Sequence, residues 1–317
     1  MELNKHNKNW KIIIRWIGTI LSILLLVYLF YTTGIEEIID ALKKISLSRL
    51  LMMVFLIFVS RLATFLRWHS LLHIENLKVH WKDSLRLTFA GLFASNFLPT
   101  TVGGDVVRLA GAMRIGISGA LAAASLMTDR LVGIIGMALV LPFGLSPLFN
   151  NLNHQAVDQG INAMAGWAFG KKIVAKVKST LKKVAENFRY WFKHPKYLLL
   201  AMLFNFIHMA AIFLIIKIII TELGESMSFW EIAGLWSLTY FVTLLPISIN
   251  GLGLQEVTIT NLFTVLGGLS NSTSLTIAII IRGLWILGSL PGAFFISGIL
   301  SGENYSKLVK DNEILKE

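Results

Sequence analysis

The sequence contains no cysteine, which excludes disulfides, thiolate metal sites and a cysteine nucleophile. Charge is scarce too: 15% of the 317 residues are Asp, Glu, Lys or Arg, against about 25% in soluble domains. No Walker loop, G-x-S-x-G or H-E-x-x-H occurs, so ATP-driven action and the common hydrolase chemistries have no support. No metal or cofactor is expected. His69 and His73 have a metal-compatible spacing but sit beside Arg67 and Trp68 without carboxylates, and are read as interfacial packing. Apolar residues are abundant: 55% of the chain is hydrophobic, with 20 Phe and a mean hydropathy of +0.68. That composition is that of an integral membrane protein.

A membrane-crossing helix needs about 20 predominantly apolar residues. Clear windows are Ile12 to Tyr31, Leu50 to Leu66, Ala120 to Leu141, Leu198 to Ile220 and Leu275 to Leu300. Two weaker windows, Leu85 to Leu98 and Ile232 to Leu245, end on Leu-Pro, and Val257 to Leu266 is too short to span unaided. The expected fold is an all-α polytopic membrane protein with seven or eight transmembrane helices. Lys5, Lys8, Lys11 and Arg15 precede the first window as in a signal peptide, but no small-residue cleavage site follows, so 12–31 is read as a retained first helix.

Between Lys171 and Lys196 nine basic residues face one acid, Glu186, which accounts for +8 of the chain's +11. Apolar residues recur through this stretch at helical spacing. A basic helix with an apolar stripe suits the anionic cytoplasmic membrane surface, and no nucleic acid is expected. The positive-inside rule then places the N-terminus, the loop with Arg67, Lys78 and Lys82, and the 171–196 helix in the cytoplasm. Thr221 to Ser228 falls outside, as does a short amphipathic helix over 32–49 with Ile35, Ile38, Ile39, Leu42 and Ile45.

Leu98-Pro-Thr-Thr-Val-Gly-Gly104 and Leu245-Pro-Ile-Ser-Ile-Asn-Gly251 share the pattern L-P-x-[ST]-[VI]-x-G. Each is followed by an arginine with glycine six residues on, Arg130 to Gly136 and Arg282 to Gly288, and then by a proline, Pro142 or Pro291. Two landmarks in the same order suggest duplication. One membrane domain is expected over 1–317, with repeat unit A at 47–142, a basic loop at 143–197, repeat unit B at 198–300 and a polar tail at 301–317. Under the topology above the units are inverted, with Pro/Gly-broken or re-entrant helices at matching positions, the pattern of a transporter-type midplane site. The alternative is that Pro99 and Pro246 merely end helices at an interface.

Arg61, Asp129, Arg130 and Arg282 fall within spans, where a charge costs at least about 2.5 kcal/mol and must face a partner or water. Asp129 and Arg130 point about 100° apart on a helix, so each needs its own partner. Arg130 is expected to meet Asp105 or a ligand phosphate, and Asp129 to meet Arg108 or Arg61. A helix starting near Asp105 would aim its positive end at the Gly103-Gly104 break, a setting for an anionic headgroup. In the second copy Asn250, Gly251 and Gly253 precede Glu256, which suits a cationic group or an ion pair with Arg282. With Thr101 and Ser248 at matching motif positions, these residues make the candidate site. The open alternative is a set of structural ion pairs.

"RW" at 67–68, "NFLPTTVGGDVVR" at 96–108, "DRLVGIIG" at 129–136 and "LPISINGLGLQE" at 245–256 resemble the flippase-like membrane region of lysylphosphatidylglycerol synthases, over about 10–300. The resemblance implies a multi-pass protein of the bacterial or archaeal cytoplasmic membrane. In full-length synthases such a region is associated with moving aminoacylated phosphatidylglycerol to the outer leaflet, and a cytosolic domain transfers the amino acid. By position it marks Asn96, Pro99, Gly103, Gly104, Asp105, Arg108, Asp129, Arg130, Pro246, Asn250, Gly251, Gly253 and Glu256. Gln255 departs from the pattern, since relatives often carry a basic residue there. After Leu300 only 17 residues remain, in which no soluble transferase domain fits.

The expected function is therefore translocation of an anionic or aminoacylated phospholipid, or another lipid-linked substrate, without catalysis. Two other classes stay open. One is a membrane-embedded lipid transferase of the phosphatidylglycerol lysyltransferase type, with Asp105 or Asp129 as base. The other is a scaffold for a separately encoded lipid-modifying enzyme.

Overall fold

Backbone inside hydrocarbon must satisfy its own hydrogen bonds, which leaves helices or closed barrels. In the computed structural model, which describes residues 40, 43–73, 79–96, 98, 103–151, 195–244 and 251–301 (side chains of 144–151 and 297–301 excepted), every regular element is a helix. In order these are α1 (Leu47–Leu72), α2 (Trp81–Ser95), α3 (Gly103–Arg114), α4 (Gly119–Asn151), α5 (Pro195–Glu222), α6 (Phe229–Thr243), α7 (Leu254–Val265), α8 (Asn271–Ser289) and α9 (Pro291–Ser301).

Four stretches among the described residues are long and apolar enough to cross a membrane: Leu47–Leu72, Gly119–Phe143, Pro195–Glu222 and Asn271–Ile296. They coincide with four of the five clear hydropathy windows. The expected first helix at 12–31, most of the 32–49 helix, the basic stretch up to residue 194 and the tail from 302 lie outside the described residues. Ile45, from the end of the 32–49 stretch, packs on the main core.

One expected boundary moved. The first window stopped at Leu66 because Arg67, Trp68 and His69 lower hydropathy, and Arg67 was assigned to a cytoplasmic loop. It lies inside α1 with its side chain 12% exposed. The apolar stretch long enough to span ends at Phe143, as the window to Leu141 and Pro142 implied, while α4 itself continues through Pro142 to Asn151. A proline removes one backbone donor, a loss that membrane helices tolerate. Pro291 does divide its segment, opening α9 at the first helical position, where its missing N–H is no loss.

Membrane helices hide their polar side and show apolar residues outward. On α1, Leu47, Leu51, Phe55, Phe58 and Leu62 are exposed, whereas Ser60, Arg61, Thr64 and Trp68 are buried. α1 and α5 run antiparallel along one another. Ser46 and Arg49 meet Glu222 at one end, Ser60 meets His208 midway (2.7 Å), and Leu71 clusters with Ala201 at the other. Around this pair α4 packs on α6, while α9 packs on α2. The short helices double back: α3 returns against α2, and α7 against α6.

Outside the spans, Glu225 fixes the start of α8, accepting from the Ser270 backbone N–H (3.1 Å) and Oγ (2.7 Å). Burial raises its carboxyl pKa, but hydrogen bonds from Thr273 and Ser270 outweigh that and hold it below the usual glutamate value.

Candidate functional site

The site begins where α2 gives way to α3. Gly91 and Gly104 let the two backbones touch: a Cβ on Gly104 would lie 2.4 Å from the Gly91 carbonyl oxygen, and one on Gly91 would lie 2.7 Å from Arg108 Cγ. That contact holds α3 where its first turn meets α4. Asn96 ends α2 and donates from Nδ2 to Ser289 Oγ (2.7 Å), tying the interruption to α8.

Asp105, in the first turn of α3, sits where the helix dipole favours an anion. It accepts from Arg108 Nη1 (3.2 Å) and from Arg130 Nε. Arg108 Nη1 also donates to Asp129 Oδ2 (3.2 Å), and its guanidinium lies 4.2 Å above the Trp68 ring. Trp68 is held in turn by its indole N–H on Ser125 Oγ (3.1 Å). Arg67 Nε donates to Asp129 Oδ1 (2.7 Å) and its Nη1 to Asn205 Oδ1 (2.7 Å). The result is one chain of charge from Asn205 through Arg67, Asp129, Arg108 and Asp105 to Arg130. Asp129 is 3% exposed and Arg130 39%, so the network opens at the Arg130 end.

Asp129 and Arg130 do diverge, one serving Arg67 and Arg108, the other Asp105. Of the partners expected for Asp129, Arg108 is present and Arg61 is not: Arg61 turns to Trp285 on α8. Arg67, Trp68 and Asn205 were not anticipated as site residues. A guanidinium beside an indole at 67–68 was the available signal, hidden because hydropathy ended the helix there.

The second interruption is simpler. Gly251 and Gly253 take φ of +69° and +75°, a left-handed region open to glycine, and α7 starts behind them. Arg282 Nε donates to Glu256 Oε1, and its Nη2 reaches Gly251 O (3.3 Å) and Gln255 Oε1 (3.4 Å). Helix by helix the two regions keep register. Asp105 and Glu256 are each the third residue of their short helix, and Arg130 and Arg282 each the twelfth of the next. Gly104 therefore matches Gln255, not Gly251 as the Leu-Pro motif suggested, because the glycines of the second copy precede its helix.

Pro99, Thr101, Pro246, Ser248 and Asn250 lie outside the described residues. His69 bonds Ser84 Oγ (2.7 Å) and stacks edgewise on His73, and no group of three His, Asp or Glu that could hold a metal occurs among the described residues.

With a paired-arginine network inside an apolar helical chain in view, comparison with known proteins is informative. The family model for the lysylphosphatidylglycerol synthase TM region matches residues 15–170 and 163–292. The chain belongs to this family. A search of curated proteins gave no match. As a member of the lysylphosphatidylglycerol synthase TM region family, the chain is a membrane protein of a group related to lipid handling.

Proposed function

We propose that this chain translocates an anionic or aminoacylated phospholipid, or another lipid-linked anion, between the leaflets of the cell membrane. The observation that carries this reading is Arg108: Nε and Nη2 are buried without an acceptor among the described residues, although Nη1 is shared between two aspartates. Buried donors without partners cost about 1–3 kcal/mol each, which a phosphate oxygen would offset. Among the described residues the network sets three arginines against two aspartates. Arg108 and Arg130 are assigned to the phosphate, and Asp105 and Asp129 to balancing these arginines. Glu256 pairs with Arg282 or meets an amino headgroup.

The architecture proposed for this activity has seven or eight spans, with 47–142 and 198–300 as inverted units and α2–α3 and α6–α7 as re-entrant hairpins. Support comes from the antiparallel course of α1 and α5 and from the matching positions of the arginine–carboxylate pairs. Helices of 12 or 15 residues extend about 18–23 Å, short of a core of about 30 Å. The N-terminus and the 171–196 helix are assigned to the cytoplasm, the latter against anionic lipid. A separately encoded lipid-modifying enzyme would supply an aminoacylated substrate.

The test is reconstitution in liposomes with fluorescent phosphatidylglycerol, lysyl-phosphatidylglycerol and phosphatidylcholine. Headgroup movement above empty vesicles for an anionic or aminoacylated lipid, and its loss in Arg108→Gln, is expected. Movement of none of them would refute the reading.

A further inference from the structure

Among the described residues, five of the six buried side-chain polar atoms without a partner are donors: Arg61 Nε, Arg108 Nε and Nη2, Gln255 Nε2 and Trp285 Nε1. Two of these meet away from the network just described. Arg61 is 7% exposed, forms no ion pair with the described residues, and makes one long hydrogen bond, 3.4 Å from Nη2 to the Trp285 carbonyl. Its guanidinium carbon is 5.6 Å from the Trp285 ring centre. Gly288 leaves room for it, since a Cβ there would lie 3.2 Å from Arg61 Nε. A guanidinium whose Nε has no acceptor lies over an indole whose buried N–H also has none among the described residues, and two such donors on neighbouring side chains suit an anionic oxygen.

Its position relative to Arg108 is informative. Arg108 lies over Trp68, and Arg61 precedes Trp68 by seven residues on α1. Seven residues turn a helix through nearly two full turns and advance it about 10 Å, so both guanidinium groups line nearly one face of α1 at two depths. A headgroup crossing a hydrophobic core of about 30 Å moves fastest through several stations of moderate strength, because one strong site would trap it.

We infer that Arg61 and Trp285 form a second binding station for a lipid phosphate, one step along α1 from the Arg108 station. The inference rests on the translocation reading, but its test reads binding in detergent, where transport plays no part. Protein labelled with 5-fluorotryptophan is followed by fluorine NMR, with the Trp285 resonance assigned by Trp285→Phe. The probes are dihexanoyl phosphatidylglycerol, inorganic phosphate and dihexanoylglycerol.

Phosphatidylglycerol is expected to shift the Trp285 resonance saturably, in wild type and in Arg108→Gln alike. Arg61→Gln should weaken that binding about tenfold, and Arg61→Lys less. Circular dichroism checks each fold, and if Arg61→Gln does not fold, Arg61→Lys carries the test. No shift, or the same affinity in the Arg61 variants as in wild type, overturns the inference. An equal shift with dihexanoylglycerol also overturns it, since packing alone then explains the signal. An equal shift with inorganic phosphate overturns the assignment to a lipid headgroup in favour of a soluble anion.

Discussion

The two interruptions place an arginine–carboxylate pair in the same register, and three further positions set them apart. Arg67 is the twenty-first residue of α1, Arg108 the sixth of α3 and Asp129 the eleventh of α4. The same places in α5, α7 and α8 hold Ile215, Ile259 and Ile281, each at most 1% exposed and part of the main apolar core. Both regions keep an arginine bound to the carboxylate of the preceding short helix. Only the first adds a charged network, where the second has hydrocarbon. The shared pair ties each short helix to the long helix that follows it, and under the proposed function the added charges of the first region serve the phosphate together with Arg130.

The most damaging change is Asp129→Ile alone, which strands Arg67 and Arg108 together. It should cost about 3–5 kcal/mol and appear as a large fall in thermal midpoint and in yield from detergent. The triple variant Arg67→Ile, Arg108→Ile, Asp129→Ile makes the first region copy the second. It should recover most of that midpoint while lipid movement in liposomes stays at background. Recovery of transport with recovery of fold would erase the distinction between the regions.

Arg130 is the more open of the two matching arginines, with 39% of its side chain exposed against 15% for Arg282. Arg130→Ala should therefore lower the transport rate by about tenfold or more with little change in midpoint. Arg282→Ala should lower the midpoint first, and the double change Arg282→Met, Glu256→Leu should restore it, as buried pairs often allow. Abolished expression of Arg130→Ala would favour the ion pair as a structural element. A lesser effect is expected for Gly104→Ala, which pushes α3 off Gly91 by steric contact and should slow transport through misplaced Asp105 and Arg108.

The smallest effect lies at the start of α8. Glu225 binds its proton less readily in the fold than in the unfolded chain, so its stabilising contribution is complete above the ordinary glutamate pKa. It is lost as pH falls through the lower folded value. Glu225→Gln should flatten this small acid-side slope in a thermal-shift series between pH 6 and about 3.

Much of this was legible in one dimension. Hydropathy located four long helices, the repeated Leu-Pro and Arg-to-Gly spacing pointed to related interruptions, and the cost of a charge in a span made Asp105 one of two partners expected for Arg130, and Arg282 one of two for Glu256. Arg67 was missed because a charge flanked by Trp and His reads as an interface when its partner lies 62 residues away. The register of the glycines went astray because a short motif match cannot detect residues inserted before the helix.

Composition and periodicity by themselves determined that this chain is helical and membrane-embedded, because apolar length and backbone hydrogen bonding leave little other choice. The same is true of Arg61, Asp129, Arg130 and Arg282 within spans, since each stands out against the hydrocarbon on both sides of it, as Arg67 beside Trp and His does not. Which charges meet was decided only by the tertiary structure. Ion pairing depends on helix rotation and on approaches as close as Gly91 to Gly104, and neither is written in local sequence. The contrast between a charged first region and an apolar second one belongs to that level, for Arg67, Arg108 and Asp129 become one network only when three helices converge.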